Sequence, residues 1–272
     1  MRRNDFVPPI VSDLVRRLRT REKLYASFHA ARAACCDAYE DDSLVSVVYE
    51  KILRYKESIF RQQPFVCDTA STRTLIAVCL AARHDTVSVV DFGGACGTHY
   101  FVAKRILASH MNLKWHVVET SKMAARGRAL EDGNLRFFDD LAVATEGLER
   151  VDLLLSSGAL QYVPDPYRVL NAFVAARAEH IFLTRLGLST TGQDVVTIQR
   201  SMLSSNGPGP LPPGMCDGHA QYPITFLRKE KVEQALAAAY SIEIQFDEDR
   251  HAYRVGDLSI DMYGYFGRRL PL

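Results

Sequence analysis

The chain has 272 residues, 47% of them hydrophobic, with Lys+Arg 33 against Asp+Glu 32 and a formal net charge of +1. That length supports one large core with a small appendage, and the balanced charge argues against nucleic acid or an acidic polymer as partner and for a small acceptor molecule. Six cysteines without Cys-x-x-Cys pairs or zinc-ligand spacing read as reduced thiols of a cytoplasmic protein, and no apolar run is long enough to predict membrane insertion.

Residues 9 to 23 put Ile10, Val11, Leu14, Val15 and Leu18 on one helical face with five basic residues around the rest, a pattern that suits packing on its own protein more than a membrane surface. Tyr25 to Tyr39 is alanine-rich and contains Phe28 and His29. Ser43 to Ser58 spaces Leu44, Val47, Val48, Ile52 and Tyr55 as a helix. Residues 1–66 therefore read as an N-terminal helical cap. A helix near Thr69 to Arg83, with Leu75, Ile76, Cys79 and Leu80 as its expected buried face, leads into the first strand.

That strand, Val87 to Asp91, breaks into Phe92-Gly-Gly-Ala-Cys-Gly97. Val87, Val89 and Val90 suit a buried parallel strand. Gly93, Gly94 and Gly97 allow a sharp turn that lies close to a ligand, and a helix from about Thr98 presents its free N–H groups there. Further strands are expected at Lys114 to Glu119, Leu135 to Phe138, Val151 to Ser156 and Ile181 to Thr184, with helices near Thr98 to Ser109, Ser121 to Glu131 and Pro166 to Ala176 between them. Such alternation predicts a doubly wound parallel sheet with right-handed crossovers.

Ser189 to Pro223, with Asn206-Gly-Pro-Gly-Pro-Leu-Pro-Pro-Gly214 at its centre, reads as a long loop and, with its surroundings at about 186–224, as a lid-like insertion. A helix from Arg228 to Tyr240 follows, with Val232 and Leu236 inward. Ile242, Ile244 and Phe246 alternate as a strand, and a Gly256-Asp257 turn leads to Leu258, Ile260 and Met262, so the sheet ends in antiparallel strands.

In an open α/β sheet the ligand lies beyond the carboxyl ends of the strands, where Asp91 and Glu119 stand. Glu119 follows Gly97 by 22 residues, a spacing that suits a carboxylate on two ribose hydroxyls, and Asp139 or Asp140 then meets an adenine amine. A turn of the form Asp-x-Gly-x-x-x-Gly departs from the Gly-x-Gly-x-x-Gly of dinucleotide sites, which disfavours a nicotinamide-dependent oxidoreductase; the acid suits the ammonium of a methionine moiety.

Asp91-Phe-Gly-Gly-Ala-Cys-Gly97 with Val117-Val-Glu119 resembles motifs one and two of the class I S-adenosylmethionine-dependent methyltransferases. Tyr25-Ala-Ser-Phe28, Thr98-His-Tyr100, Trp115-x-Val-Val-Glu119, Ser156-Ser-Gly-Ala-Leu-Gln-Tyr162, Arg185, Gln199 and Tyr222-Pro223 resemble, more narrowly, a bacterial group of methyltransferase-like proteins associated with surface-polysaccharide gene clusters. The resemblance implies a Rossmann-like, mostly parallel seven-stranded sheet with helices on both faces over residues 67–272, plus the cap. It implies S-adenosylmethionine as cofactor, with Asp91, Gly93, Gly94 and Gly97 at the methionine part, Glu119 at the ribose, Asp139 at the adenine and Ser157 or Gly158 at the sulfonium side. Ala95 departs from the pattern by replacing the middle glycine, and its methyl suits a negative φ.

Candidate bases for hydroxyl methylation are His29, His99, Tyr100, Tyr162, His219 and Tyr222. His99, one residue inside the helix, and Tyr162, after the fourth strand, are the catalytic choices, against hydrogen bonding to the turn and plain packing respectively. Tyr25, His29, Tyr100, Gln161, Arg185, Gln199 and Tyr222 are the expected acceptor contacts, with Arg185 as an anchor for a carboxylate or phosphate unless a nearby acid pairs with it. A carboxylate acceptor needs no base, being ionised at neutral pH. The competing readings are a catalytically silent binding protein of the same fold and the oxidoreductase; oligomeric state is open.

Overall fold

Strands covered on both faces need apolar residues at successive positions, and the central segments have them. The computed structural model describes residues 23–35, 41–61, 63–248, 253–255 and 258–271. Strands β1 (Thr86–Phe92), β2 (Asn112–Val118), β3 (Leu135–Phe138), β4 (Leu153–Ser157) and β5 (His180–Ser189) are parallel. They are followed by β6 (Val195–Met202), β7 (His219–Arg228), β8 (Tyr240–Asp247), β9 (Tyr253–Val255) and β10 (Leu258–Arg269). The main path runs β3-β2-β1-β4-β5-β10-β8, with β10 antiparallel to both neighbours, so the expected mostly parallel α/β sheet is present, with ten strands rather than seven because β6, β7 and β9 extend it.

Helices α1 (Phe28–Ala33), α2 (Asp42–Arg61), α3 (Thr69–Ala81), α4 (Thr98–Leu107), α5 (Ser121–Gly127), α6 (Leu141–Glu146), α7 (Pro166–Ala175) and α8 (Lys229–Ala237) cover the two faces. Strand alternation distributes the core. Val87, Val89, Leu153 and Leu155 join the cluster that contains α2 to α5, whereas Val90 and Leu154 join the one that contains α6 to α8. Helix starts follow local chemistry: Asp68 accepts the Ser71 N–H at α3, and Asp165 accepts the Arg168 N–H ahead of Pro166 at α7.

Two expectations are corrected. In α3 the buried residues are Ser71, Thr74, Ala77, Val78 and Ala81, while Ile76 is 53% and Leu80 48% exposed and Cys79 is exposed. Close approach of the helix to its neighbours selects small side chains, which hydrophobicity does not rank first. The segment Ser189 to Pro223 is not a loop throughout: β6 and β7 pair antiparallel from Val195↔Phe226 to Met202↔His219, and only residues 190–194 and 203–218 lack strands. The Gly/Pro-rich centre masks the β-branched run Val195-Val-Thr-Ile198 and the Tyr222 to Phe226 run beside it.

The hairpin is a roof for the carboxyl ends. Strand β7 pairs parallel with β5 at Leu188↔Leu227 and Ser189↔Arg228, past the point where β4 stops pairing at Ser157↔Thr184. Its other edge is extended by the cap, since the Tyr25 N–H donates to the Val196 carbonyl at 2.9 Å and Thr197 Oγ1 to the Lys23 carbonyl at 3.0 Å. Buried Lys51 of α2 donates from Nζ to the Ser204 carbonyl at 2.6 Å, tying α2 to the hairpin tip. The expected helix over residues 9–23, save its last residue Lys23, and the Gly256-Asp257 turn lie outside the described residues, as does the end of the alanine-rich segment, of which 28–33 is helical. Among the described residues no helix is long and apolar enough to cross a membrane.

Candidate functional site

The turn after β1 is built from positive φ values: +77° at Gly93, +50° at Ala95 and +87° at Gly97. The negative φ expected at Ala95 is thus corrected. Its left-handed backbone is held by the turn on either side and by its N–H, which donates to Glu119 Oε1 at 2.9 Å. Glu119 Oε2 accepts the Thr120 N–H at 3.0 Å, so the acid that ends β2 clasps the turn that ends β1. A Cβ on Gly93 would lie 2.1 Å from the Ala159 Cβ, and one on Gly94 would lie 2.4 Å from Asp91 Oδ2. The turn therefore has no room for side chains on its inner face.

Asp91 is fully buried, and its Oδ2 takes Trp115 Nε1 at 3.2 Å and His99 Nδ1 at 3.0 Å. His99 sits in the first turn of α4 with its side chain 17% exposed, leaving Nε2 as the ring nitrogen with no partner among the described residues. Burial, the largest influence, pulls the imidazolium pKa down; the charge and hydrogen bond of Asp91, aided by Asp68 against Arg185, outweigh it and raise it above the ordinary value. Cys96 in the same turn is buried and its thiol is pushed up to about 12, mainly by burial, so it stays protonated beside Met123 Sδ at 3.5 Å.

Four buried polar atoms gather where β1, β2 and β4 end: Asp91 Oδ1, Thr120 Oγ1, Ser156 Oγ and Gln161 Oε1 have no hydrogen-bond partner among the described residues. Buried groups of this kind call for water or a ligand. Ser157 and Gly158 stand partly exposed beside them, and Gly158 has φ +68°. Asp139 is exposed and accepts the Ser121 hydroxyl at 2.9 Å; Asp140 is taken as the cap of α6.

On the roof side Tyr162 donates its hydroxyl to Gln199 Oε1 at 2.7 Å and packs edge-on against Tyr222 at 5.5 Å, while Tyr222 and Ser201 share a 3.0 Å hydroxyl contact. Tyr162, Gln199 and Tyr222 are thus brought together. Tyr25 is held at the β6 edge through its backbone, and His29 and His219 are exposed. Tyr100 is not brought to this group: it is buried against Trp115 with its hydroxyl on both oxygens of Asp132, at 3.0 and 2.8 Å, before β3 begins.

Arg185 lies in β5 with φ +54°, its side chain exposed. Its carbonyl accepts from Gln161 Nε2 at 3.1 Å, and its N–H and the Thr184 hydroxyl both donate to Glu248 Oε1. Glu248 and Asp68 are the acids near this group that sequence reasoning missed. Asp68 shows only as a helix cap, and Glu248 follows β8 and reaches β5 across β10, which no local pattern reveals.

No protein-family model matches the chain, and the search of curated proteins finds no relative. Among solved structures the chain is similar to CalS10, an amino pentose methyltransferase from Micromonospora echinaspora, at 13% identity over 82% of this chain and 97% of that one, TM-score 0.45. It is similar to the sugar N-methyltransferase KedS8 from Streptoalloteichus at 14% identity, 82% and 92% coverage and TM-score 0.45. It is also similar to the [4+2]-cyclase SpnF, at 11% identity, 86% and 97% coverage and TM-score 0.47. These scores assign no chemistry, and the reading of the site rests on its own residues.

Proposed function

We propose that the protein is an S-adenosylmethionine-dependent methyltransferase that acts on a small molecule, most simply at a hydroxyl or carboxylate oxygen. The observation that carries this is the Ala95 N–H on Glu119, which sets a glycine-rich turn next to a carboxylate at the adjoining strand ends. The residues fit the cofactor: the turn is rich in glycine, Glu119 is a carboxylate of the kind that accepts from ribose hydroxyls, and the partnerless buried oxygens are groups that a polar ligand would complete. Gly93, Gly94 and Gly97 would hold the methionine part, Asp139 the adenine, and Ser157 and Gly158 the flank of the sulfonium.

When bound, the cofactor supplies an electrophilic methyl group. The chain supplies alignment, water exclusion and, for a hydroxyl acceptor, a base. His99 takes that proton at Nε2, while Asp91 fixes the proton on Nδ1 and stabilises the imidazolium that forms. Tyr162, Gln199 and Tyr222 line the acceptor side beneath the cap and hairpin. A cytoplasmic setting fits the free thiols of Cys35, Cys67, Cys79, Cys96 and Cys216.

Calorimetry with S-adenosylhomocysteine tests the assignment. Glu119→Ala should weaken binding by about 2 to 3 kcal/mol, the value of a charge-assisted contact pair. An unchanged dissociation constant would show that the ribose lies elsewhere; tight NAD binding with no S-adenosylhomocysteine binding would replace the methyltransferase reading with the oxidoreductase one.

A further inference from the structure

Strand β5 carries one residue more than its partner at a single place. Leu183 pairs with Tyr265 and Leu186 with Tyr263, so Thr184 and Arg185 together face Gly264 in a β-bulge. Bulges of this kind re-aim a side chain, and here the bulged residue is a non-glycine at φ +54°. Four hydrogen bonds hold it: Glu248 accepts the Thr184 hydroxyl and the Arg185 N–H, Gln161 Nε2 donates to the Arg185 carbonyl, and the Gly158 N–H donates to the Thr184 carbonyl at 2.9 Å.

The carboxylates nearby are already engaged. Glu248 Oε2 pairs with Arg73 Nη1 at 2.9 Å, Asp91 holds His99, and Asp68 caps α3. The Arg185 guanidinium has no ion pair among the described residues. It lies by Gly158, whose added Cβ would be 3.7 Å from its Cζ, and its charge reaches His99. A strained backbone that aims an unpaired guanidinium over the end of β4, within electrostatic reach of the base, is the arrangement of an anion clamp.

We propose that Arg185 binds an oxyanion of the acceptor, so that the substrate is an anionic small molecule, a carboxylate or phosphate ester, docked through two parallel N–H···O bonds. This rests on the methyltransferase reading for the word acceptor, but the clamp itself does not. A hydroxylated acid docked this way brings its hydroxyl toward His99.

Isothermal titration of the full chain with benzoate, phenyl phosphate and the neutral benzamide, with and without saturating S-adenosylhomocysteine, tests the clamp. The wild type should bind one or both anions about tenfold or more tightly than benzamide. Arg185→Gln should bring them to the benzamide level, Arg185→Lys should retain part of the preference, and both variants should keep wild-type melting temperatures. The proposal is overturned if Arg185→Gln keeps the anion preference, or if the wild type shows none, including no anion binding at 10 mM (about tenfold above the weak end of usual substrate affinities). Absent S-adenosylhomocysteine binding would defeat the cofactor assignment while the probe ranking without it still decides the clamp.

Discussion

His99 owes its chemistry to a carboxylate sealed from solvent. Burial by itself would lower the imidazole pKa, so its net elevation depends on Asp91. Asp91→Asn should therefore move the His99 titration, followed by imidazole C–H NMR shifts, to lower pH than in the wild type. As the proposed base His99 would act when neutral, so the acid limb of the proposed methyl transfer should lie above pH 6.5 in the wild type and shift downward in Asp91→Asn. For stability the sign is opposite: the raised folded pKa gives a contribution present below pH 6.5 that is lost as pH rises through the folded value. Ala95 is the other informative residue. Ala95→Gly relieves a left-handed alanine and should stabilise the fold by about 0.5 to 1 kcal/mol in urea denaturation, after the entropy cost of glycine is subtracted. The residue types of the turn are legible in the chain; the φ of Ala95 is not, because it follows from the clasp to Glu119, 24 residues away.

Elements whose pattern is local read correctly, as with β1 and the span of α7. Elements shaped by their neighbours do not. Helix α3 turns small residues inward because it must lie close to the structure beneath, and β6 and β7 form because each gives the other a partner across a segment that composition marks as loop. The hairpin tip depends on α2. Burial lowers the pKa of Lys51, with Asp217 opposing, yet its ammonium remains on the Ser204 carbonyl. Lys51→Met keeps the stem and leaves that carbonyl unpaired, which should cost about 1 to 3 kcal/mol. Hydrogen exchange should quicken across residues 203–218, with β1 and β4 unchanged; uniform quickening would instead mean that α2 supports the whole fold.

At the scale of the molecule, two cores divided by one sheet leave the carboxyl ends of β1, β2 and β4 between a floor of turns and a roof made of cap and hairpin. The order of the parallel strands is legible because strand and helix alternate, and the acids at their ends follow. Glu248 is not, since it is brought to β5 only by the pairing of β10 with β5 and β8, whereas Gln199 and Tyr222, both expected, meet Tyr162 through the pairing of β6 with β7. A ligand seated across these ends links both cores, so S-adenosylhomocysteine at 100 times its dissociation constant should add about 2.7 kcal/mol to stability, read as a rise in melting temperature that NAD does not reproduce.

Without Arg185, Leu183, Thr184 and Leu186 would meet Tyr265, Gly264 and Tyr263 one for one, and β5 would zip against β10 with no interruption. Pairing alone therefore asks for a shorter strand. The surplus residue is the one that carries the guanidinium, which makes its loss by deletion, rather than by substitution, the change the ladder would absorb most easily: a protein with a more regular sheet and without the proposed anion clamp.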